Sequence, residues 1–253
     1  MKRLSDRFAH AARSCASLDA LRDLIGTVLP ELGFDYFALV DHSSLSSPSG
    51  AFVRLDNYPQ SWVEELTLAG LAGADPVHLA SRRCNKGFGW RELEELIPLE
   101  RRHKDILERS RAHGLGPGFT IPANVPGEPS ASCSFAVASG GRLPADRLDC
   151  AELVGAHALA AARRLRPPGP RPEPPHLSRR ELDCLRLVAL GKTDWEIARI
   201  LGLSTETVRQ YVKRARAAYD AVSRAQLVAF GLRDCWISFE EAIPPSGGMV
   251  SSR

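Results

Sequence analysis

A proline-rich run interrupts the chain at residues 167–175. It reads Pro-Pro-Gly-Pro-Arg-Pro-Glu-Pro-Pro. Proline has a fixed φ and no backbone N–H, so such a run can continue neither a helix nor a β-ladder and favours an extended, semi-rigid spacer. A long surface loop inside one domain is the alternative. Because a self-contained helical pattern begins directly after the run, we predict that residues 167–176 link two domains.

The segments on either side of the linker differ in size and charge. We predict a domain over residues 1–166, a second domain over 177–240 and a flexible tail over 241–253. The first domain carries 20 basic and 20 acidic side chains and has no net charge. Residues 176–235 carry 11 basic and 7 acidic side chains, a net charge of +4. This excess points to a polyanionic partner of the smaller domain.

Several classes of protein are disfavoured by composition. The first thirty residues are interrupted by charges and do not resemble a signal peptide. No apolar run approaches the roughly 18 residues of a membrane helix, so we expect a cytoplasmic protein with no membrane contact. The six cysteines are scattered without a C-x-x-C pair. We therefore expect reduced, mostly buried thiols, with neither a disulfide framework nor a metal site.

Before the linker, hydrophobic spacing alternates between helical and strand-like patterns. Apolar residues over 18–32 recur at three- and four-residue intervals and stop at Gly33, which predicts a helix. Further helices are predicted at 59–71, 99–113 and 144–166, and strands at 37–40, 51–55, 117–122 and 131–138, with a turn at 43–50. We predict an α+β fold for this domain, an α/β/α sandwich with a central antiparallel sheet.

After the linker, three helix starts follow in quick succession. Ser178 with Glu181 and Thr193 with Glu196 have the spacing of capping boxes. Ser204 is placed to cap a third helix after a glycine-containing turn. A short helix, a tight turn and a second helix form the helix-turn-helix arrangement. We predict a separate all-α, four-helix domain of this type.

The third of these helices has an apolar inner stripe and a basic outer face. Arg209, Lys213 and Arg216 share the outer face by their spacing of four and three. Such side chains in a major groove contact phosphates, and arginine pairs bidentately with guanine. A merely solvated basic face is the alternative, which the capped helices ahead of it disfavour. The predicted contacts to double-stranded DNA are Thr205, Arg209, Gln210, Lys213, Arg214 and Arg216.

Residues 177–209 resemble the LuxR-type DNA-binding domain nearly residue for residue. The matching stretch includes Gly-Lys-Thr-Asp-Trp-Glu-Ile-Ala and Leu-Gly-Leu-Ser-Thr-Glu-Thr-Val-Arg. The positions that define the family are occupied by Glu181, Leu185, Gly191, Ile197, Ala198, Leu201, Ser204, Thr207, Val208 and Lys213. The resemblance implies a fourth helix at about 224–234 that pairs two copies into a homodimer. RNA polymerase is a further candidate partner of such a regulator.

The segment before the linker resembles the autoinducer-binding domain of LuxR-type quorum-sensing regulators. Its motifs are Asn-Tyr-Pro-Gln-Ser-Trp at 57–62 and Gly-Leu-Gly-Pro-Gly-Phe-Thr-Ile-Pro at 114–122. Signature positions of the family are matched by Tyr58, Trp62, Asp75, Pro76, Trp90 and Gly118. The resemblance implies a pocket for an acyl-homoserine lactone and no other cofactor. A phosphorylated receiver is disfavoured, because Asp35 and Asp41 lack the strand-end partners that such a domain needs.

The chemistry of these side chains suits an acyl-homoserine lactone, which has an amide N–H, two carbonyl groups and an apolar tail. Asp75 is a strong acceptor for the amide N–H. The indole N–H of Trp62 and the hydroxyl of Tyr58 can donate to the lactone and amide carbonyls. Trp90 supplies an apolar wall. A few placed polar groups in a mostly apolar pocket are typical of small-molecule sites.

The ligand itself is left open by the sequence. The family uses a serine or threonine on a later strand; Ser134 is our candidate and Ser132 the alternative. Leu66 stands where the family usually has an aromatic lining residue, and residues 123–133 are unusually rich in proline and small residues. The predicted ligand contacts are Tyr58, Trp62, Leu66, Asp75, Trp90, Gly118 and Ser134. A non-lactone or unusual-tail signal, and a regulator that the signal releases from DNA, stay open.

Single residues of this set also have alternative interpretations. Asp75 before Pro76 could be a helix cap, and any one tryptophan or tyrosine could be ordinary core. His78 lies one helical turn from Asp75, and we expect a surface or core histidine there. Because no G-x-S-x-G, H-E-x-x-H or phosphate-binding motif occurs, we expect no catalytic residues and no enzyme. A front half that binds only another protein would have a core without a cavity.

Overall fold

The computed structural model describes residues 2–42, 54–166 and 173–243. The chain divides into two compact units, Met1–Val125 with Pro129–Gly169 and Pro126–Glu128 with Pro170–Arg253. In the described ranges no helix combines the length and apolar character needed to cross a membrane. None of the six cysteines is in a disulfide. The predicted turn at 43–50, residues 51–53 of a predicted strand, most of the linker and the tail from 244 onward lie outside the described residues.

The first unit is built around a five-stranded antiparallel sheet. Its strands are β1 (Tyr36–Asp41), β2 (Arg54–Asp56), β3 (Phe88–Gly89), β4 (Leu115–Ala123) and β5 (Ala131–Ala138). Their order across the sheet is β2-β1-β5-β4-β3, and each neighbouring pair is antiparallel. The helices of this unit are α1 (Lys2–Ser14), α2 (Leu18–Leu32), α3 (Gln60–Leu68), α4 (Pro76–Ser81), α5 (Leu93–Leu96), α6 (Arg101–Ala112) and α7 (Leu148–Leu165).

The two faces of the sheet pack against different helices. Phe135 and Cys133 of β5 are fully buried on one face, in a core shared with α1, α2 and α7. Ser134 and Ser132 point to the opposite face, because successive side chains of a strand alternate. That face is covered by helices that include α3, α4 and α6. The predicted α/β/α sandwich with a central antiparallel sheet is confirmed.

Helix α1 was missed by the sequence prediction. Leu4, Phe8 and Ala12 are all buried at four-residue intervals and pack into the core of the first unit. This spacing is the signature of one helical face.

The predicted helix at 59–71 is shorter in the structure. Helix α3 ends at Leu68, and a 3-10 turn follows over Leu71–Ala74. Between them Gly70 has φ 61°, a left-handed conformation that a helix interior does not contain. A glycine inside an apolar stretch was therefore the stop signal. At the other end of the unit, the predicted helix 144–166 begins with a 3-10 turn at Ala145–Arg147 before α7.

The second unit is all-helical in its described residues. Its helices are α8 (Arg179–Ala189), α9 (Asp194–Leu201), α10 (Thr205–Ala218), α11 (Arg224–Arg233) and the short α12 (Phe239–Ala242). Leu185, Ile197, Val208 and Leu227 are buried together in a core of their own. The four longer helices agree with the predicted helix-turn-helix domain.

Helix caps fix the starts of these helices, as predicted. The backbone N–H of Ser178 donates to Glu181 Oε2 over 2.7 Å, and that of Thr193 donates to Glu196 Oε2 over 2.8 Å. Both capping boxes are therefore confirmed. A further box at Ser238 begins α12, so the first residues of the predicted tail are helical. Each box satisfies backbone N–H groups that the helix itself leaves unpaired.

Two leucines in equivalent positions test the packing of the first unit. Leu32 and Leu68 are each the last residue of a helix, but Leu32 is 0% and Leu68 87% exposed. We expect Leu32→Ala to lower the free energy of unfolding by about 2–5 kcal/mol, because it leaves a cavity. Leu68→Ala should change it by less than about 0.5 kcal/mol. Urea unfolding followed by tryptophan fluorescence measures both, and equal effects of the two variants would contradict this packing.

Candidate ligand-binding cavity and DNA-binding surface

A small cavity lies between the sheet and the helices that cover its second face. Six of the seven residues predicted to contact a ligand line it: Tyr58, Trp62, Leu66, Asp75, Trp90 and Ser134. The fold therefore brings together groups from α3, the start of α4, the turn after β3 and strand β5. The remaining lining is mostly apolar and includes Val40, Ile106 and Leu115.

Helix α3 places two of these side chains on one face. Trp62 and Leu66 are four residues apart and both buried, with exposures of 3% and 5%. Tyr58 precedes the helix by two residues. Burial first, and the charge of Asp75 second, raise the pKa of the Tyr58 hydroxyl well above its ordinary value. Tyr58 therefore stays protonated and keeps a hydrogen to donate.

Charged groups behind Trp62 hold α3 against the end of α6. Glu65 accepts from Arg109 Nη1 over 3.1 Å and pairs with His113 Nε2 over 2.5 Å. The hydrogen bond to His113 and, with smaller weight, the one to Arg109 lower the pKa of Glu65. The His113 ring also packs on the Trp62 ring, with 5.8 Å between centroids. The wall that carries Trp62 is thus fixed from outside the cavity.

Asp75 serves local structure and the cavity at once. One carboxylate oxygen, Oδ1, accepts from the backbone N–H of Val77 over 2.8 Å and caps α4. The helix-cap alternative for Asp75 is therefore correct. The other oxygen, Oδ2, lies 4.0 Å from His78 Nδ1, and Asp75 is also one of the residues that line the cavity.

Gly118 has a different place from the one its prediction suggested. It is not among the residues that line the cavity. A Cβ on Gly118 would lie 2.4 Å from Cε2 of Trp90, so the strand accepts the indole only because this residue has no side chain. The indole Nε1–H of Trp90 donates to Thr120 Oγ1 over 2.9 Å. Gly118 therefore positions Trp90, which itself lines the cavity.

The structure separates the two candidate serines. Ser134 lines the cavity, and its Oγ lies 2.8 Å from Thr120 Oγ1. Ser132 lies on the same face but forms a hydrogen bond of 2.9 Å with Nε2 of His42. Burial first, then the charges of His78 and Arg82, lower the pKa of His42 to about 3, so His42 is neutral.

His78 and Thr120 are among the polar residues that sequence reasoning did not assign to the site. His78 lines the cavity, and its ring lies 4.8 Å from the ring of His42. Thr120 is 0% exposed and joins Trp90 to Ser134. Thr120 follows Gly118 by two residues in a predicted strand, so strand alternation could have placed it on the site face. His78 was singled out by its spacing from Asp75, but only as a surface or core histidine and not as part of the site.

The cavity is small as it stands. Its volume is about 50 Å³, whereas sites for small ligands have volumes of roughly 300 Å³ or more. A wider cleft of about 510 Å³ adjoins it and shares Trp90, Leu107 and Ser110. A ligand with an acyl chain therefore requires the lining side chains to move apart.

On α10, four of the six predicted DNA contacts form an exposed surface. Val208 and Val212 are buried on the inner side, as predicted. The exposed residues of the outer face are Arg209, Gln210, Lys213 and Arg214. Thr205, which is half-buried, is the first residue of the helix.

Two residues of α10, Arg216 and Glu206, form hydrogen bonds that the sequence did not predict. Arg216 donates through Nε to the carbonyl of Ala221 over 3.1 Å and through Nη2 to that of Val222 over 2.6 Å. Its guanidinium therefore anchors the turn after α10. Glu206 accepts from Gln210 over 3.1 Å and from Arg209 over 3.3 Å, and these hydrogen bonds lower the pKa of Glu206.

Two family models match the chain. The autoinducer binding domain matches residues 17–165, and the model for bacterial regulatory proteins of the luxR family matches residues 175–230. The transcriptional activator protein AhyR of Aeromonas hydrophila is 28% identical over 223 residues, which cover 85% of this chain and 84% of AhyR. The regulatory protein SdiA of Escherichia coli is 30% identical over 207 residues, 79% of this chain and 82% of SdiA.

Solved structures show the same fold. The crystal structure of Escherichia coli SdiA superposes with a TM-score of 0.64 at 23% identity and covers 93% of this chain and 98% of SdiA. A structure of SdiA in complex with octanoyl-rac-glycerol has a TM-score of 0.60 at 23% identity, and covers 90% of this chain and 93% of that one. AhyR is named as a transcriptional activator and SdiA as a regulatory protein. The chain belongs to the LuxR family of bacterial transcription regulators, with an autoinducer-binding domain followed by a DNA-binding helix-turn-helix domain.

Proposed function

We propose that the cavity binds an acyl-homoserine lactone-type autoinducer and that the protein, as a homodimer, binds a palindromic promoter site. In this proposal residues 1–166 sense the signal, 167–176 are the linker, 177–240 bind DNA and 241–253 are a flexible tail. In this proposal the predicted ligand contacts that line the cavity bind the signal, and the predicted DNA contacts that are exposed on α10 bind DNA.

The observation that carries the proposal is the set of polar groups at the cavity. Tyr58, Trp62 and Ser134 each bring a group that can donate, and Asp75 brings an anionic acceptor. An acyl-homoserine lactone has one N–H and two carbonyl groups, so its needs match this set. The hydrogen bond from its N–H to Asp75 is charge-assisted and the strongest of the set. Apolar side chains such as Leu66 and Leu115 suit the tail.

Ligand binding would act through the stability of the first unit. A ligand that binds only the folded state at a thousandfold excess over Kd adds roughly 4 kcal/mol. This is a large part of the roughly 5–15 kcal/mol by which domains are stable. Since the cavity must widen, part of the binding energy is used to move its lining. The signal would thus control how much folded dimer accumulates.

A second candidate is a signal that has an acyl chain without a lactone ring, or with an unusual tail. His78 and Arg54 also line the cavity, so its wall includes polar groups with which a plain alkyl chain cannot form hydrogen bonds. The related SdiA has been solved with octanoyl-rac-glycerol, an acyl ester of glycerol. Competition between an acyl-homoserine lactone and an acylglycerol for the purified protein distinguishes the two candidates.

On DNA, α10 would lie in the major groove and α11 would pair two copies. Two such domains read half-sites about one helical turn, roughly 34 Å, apart. The ion pair of Glu206 with Arg209 must open for the Arg209 guanidinium to contact a phosphate or a base. RNA polymerase would be the further partner at the promoter. A gel shift with and without ligand decides whether the signal promotes or releases DNA binding.

The role of Asp75 is tested by Asp75→Asn. Asparagine still caps a helix, so α4 should persist, while the charged acceptor is lost. We expect affinity for N-acyl-homoserine lactones to fall about 10- to 100-fold. Mass spectrometry of ligand retained on the purified protein, together with its thermal melting, measures the change. Asp19→Asn, at an exposed carboxylate in the first turn of α2, is the control and should leave affinity unchanged. Wild-type retention by Asp75→Asn would contradict the proposed site.

Lys213 and Arg216 should separate DNA contact from folding. We expect Lys213→Ala to weaken binding to all DNA sequences and to reduce the slope of log K against log salt by about 1. Arg216→Ala should instead destabilise the second unit by about 1–3 kcal/mol, because two backbone carbonyls lose their donor. Fluorescence anisotropy over a salt series and urea unfolding give the two quantities.

The matched control for these variants is Lys104→Ala, at an exposed lysine of the first unit. It should change neither the salt slope nor the unfolding of the second unit. An unchanged slope in Lys213→Ala would show that this residue does not contact phosphate.

A further inference from the structure

Three side chains, the half-buried Trp90 and the buried Thr120 and Ser134, form a continuous hydrogen-bonded chain on the site face of the sheet. Trp90 Nε1 lies 2.9 Å from Thr120 Oγ1, which lies 2.8 Å from Ser134 Oγ. Thr120 on β4 and Ser134 on β5 are directly opposite each other in the register of the sheet. They are 0% and 5% exposed. Water is thus kept from the middle of the chain, while Ser134 lies at the cavity wall.

The chemistry of the first link fixes the direction of the second. An indole N–H only donates, so Thr120 Oγ1 must accept from Trp90. The hydroxyl hydrogen of Thr120 then needs an acceptor, and its side-chain partners among the described residues are Trp90 and Ser134. If Ser134 donated to Thr120, the Thr120 hydrogen would be buried without an acceptor, which costs more than a hydrogen bond contributes. Thr120 therefore donates to Ser134.

As a consequence, the hydroxyl hydrogen of Ser134 is not donated to Thr120 and can be donated to a ligand. Its oxygen already accepts from Thr120, and a hydroxyl carries one hydrogen only. Resting on the proposed ligand site, we propose that Thr120 is a positioning residue that fixes Ser134 as a hydrogen-bond donor toward the cavity. The ligand atom that faces Ser134 is then an acceptor, the acyl carbonyl oxygen that lactone amides and acylglycerol esters share.

The chain also explains why Trp90 must lie where it does. Gly118 lets the indole approach β4 closely, and this approach brings Nε1 within reach of Thr120. Hydrogen bonds in series polarise one another, so the indole N–H strengthens Ser134 as a donor. Trp90 acts on the ligand through two intermediates as well as through its own ring.

The series of hydrogen bonds from Trp90 through Thr120 to Ser134 can be tested without any ligand. In the ¹⁵N-labelled full-length protein, the indole N–H resonance of Trp90 is assigned by its absence in Trp90→Phe. We expect Thr120→Val to move this proton resonance upfield, because valine offers no acceptor. Thr120→Ser should keep it near the wild-type position. A resonance that does not move in Thr120→Val would overturn the chain.

The effect on the ligand is tested with two ligands that differ in a single atom. N-octanoyl-homoserine lactone is compared with its thioamide, in which sulfur replaces the acyl oxygen and accepts more weakly. We expect the wild type to prefer the amide. Thr120→Val should weaken amide binding roughly three- to tenfold and reduce this preference, while Thr120→Ser restores both. An unchanged preference in Thr120→Val would overturn the positioning role.

Ser134→Ala provides the same test from the other end of the chain and removes no partner of Trp90. It should lower amide affinity as Thr120→Val does, and the two changes together should cost no more than one. Additive losses would show that Thr120 does not act through Ser134. If the wild type bound neither N-octanoyl-homoserine lactone nor 1-octanoyl-rac-glycerol, the proposed function would fail. The NMR result would still show whether the hydrogen bond from Trp90 to Thr120 exists.

Discussion

The pairing of β4 with β5 determines most of what this protein can do with a ligand. Its register sets Thr120 against Ser134 on the site face and Phe119 against Phe135 on the core face. A shift of one residue would exchange the faces, since side chains alternate along a strand. The fully buried Phe135 makes such a shift costly, because its aromatic ring would leave the core. The apolar face therefore holds the polar face in place.

Several residues at the cavity serve the fold and the site together. Asp75 caps α4 through one carboxylate oxygen and is one of the residues that line the cavity. Trp90 uses its N–H inside the protein and its ring at the wall. Because these groups are already held by the protein, little of their freedom is lost on binding. The main free-energy cost of binding is instead that of widening the small cavity to admit a ligand.

The second unit is organised in the opposite way. Its helix starts are fixed by local capping boxes at Ser178 and Thr193, and Arg216 anchors the turn after α10. Lys213 and Arg214 on α10 are exposed, and within the described parts of the chain neither forms a hydrogen bond or an ion pair. Exposed basic side chains on a locally capped helix suit a partner whose phosphates supply most of the attraction.

The sequence alone determined what depends on neighbours along the chain. Capping boxes, the turn before Ser204 and the outer face of α10 follow from residues three or four apart, which a helix brings together whatever surrounds it. Only the tertiary structure places Ser134 rather than Ser132 at the cavity, gives Gly118 its place under Trp90 and makes the cavity narrow. These outcomes depend on strand register and on packing between distant segments, which local spacing does not encode.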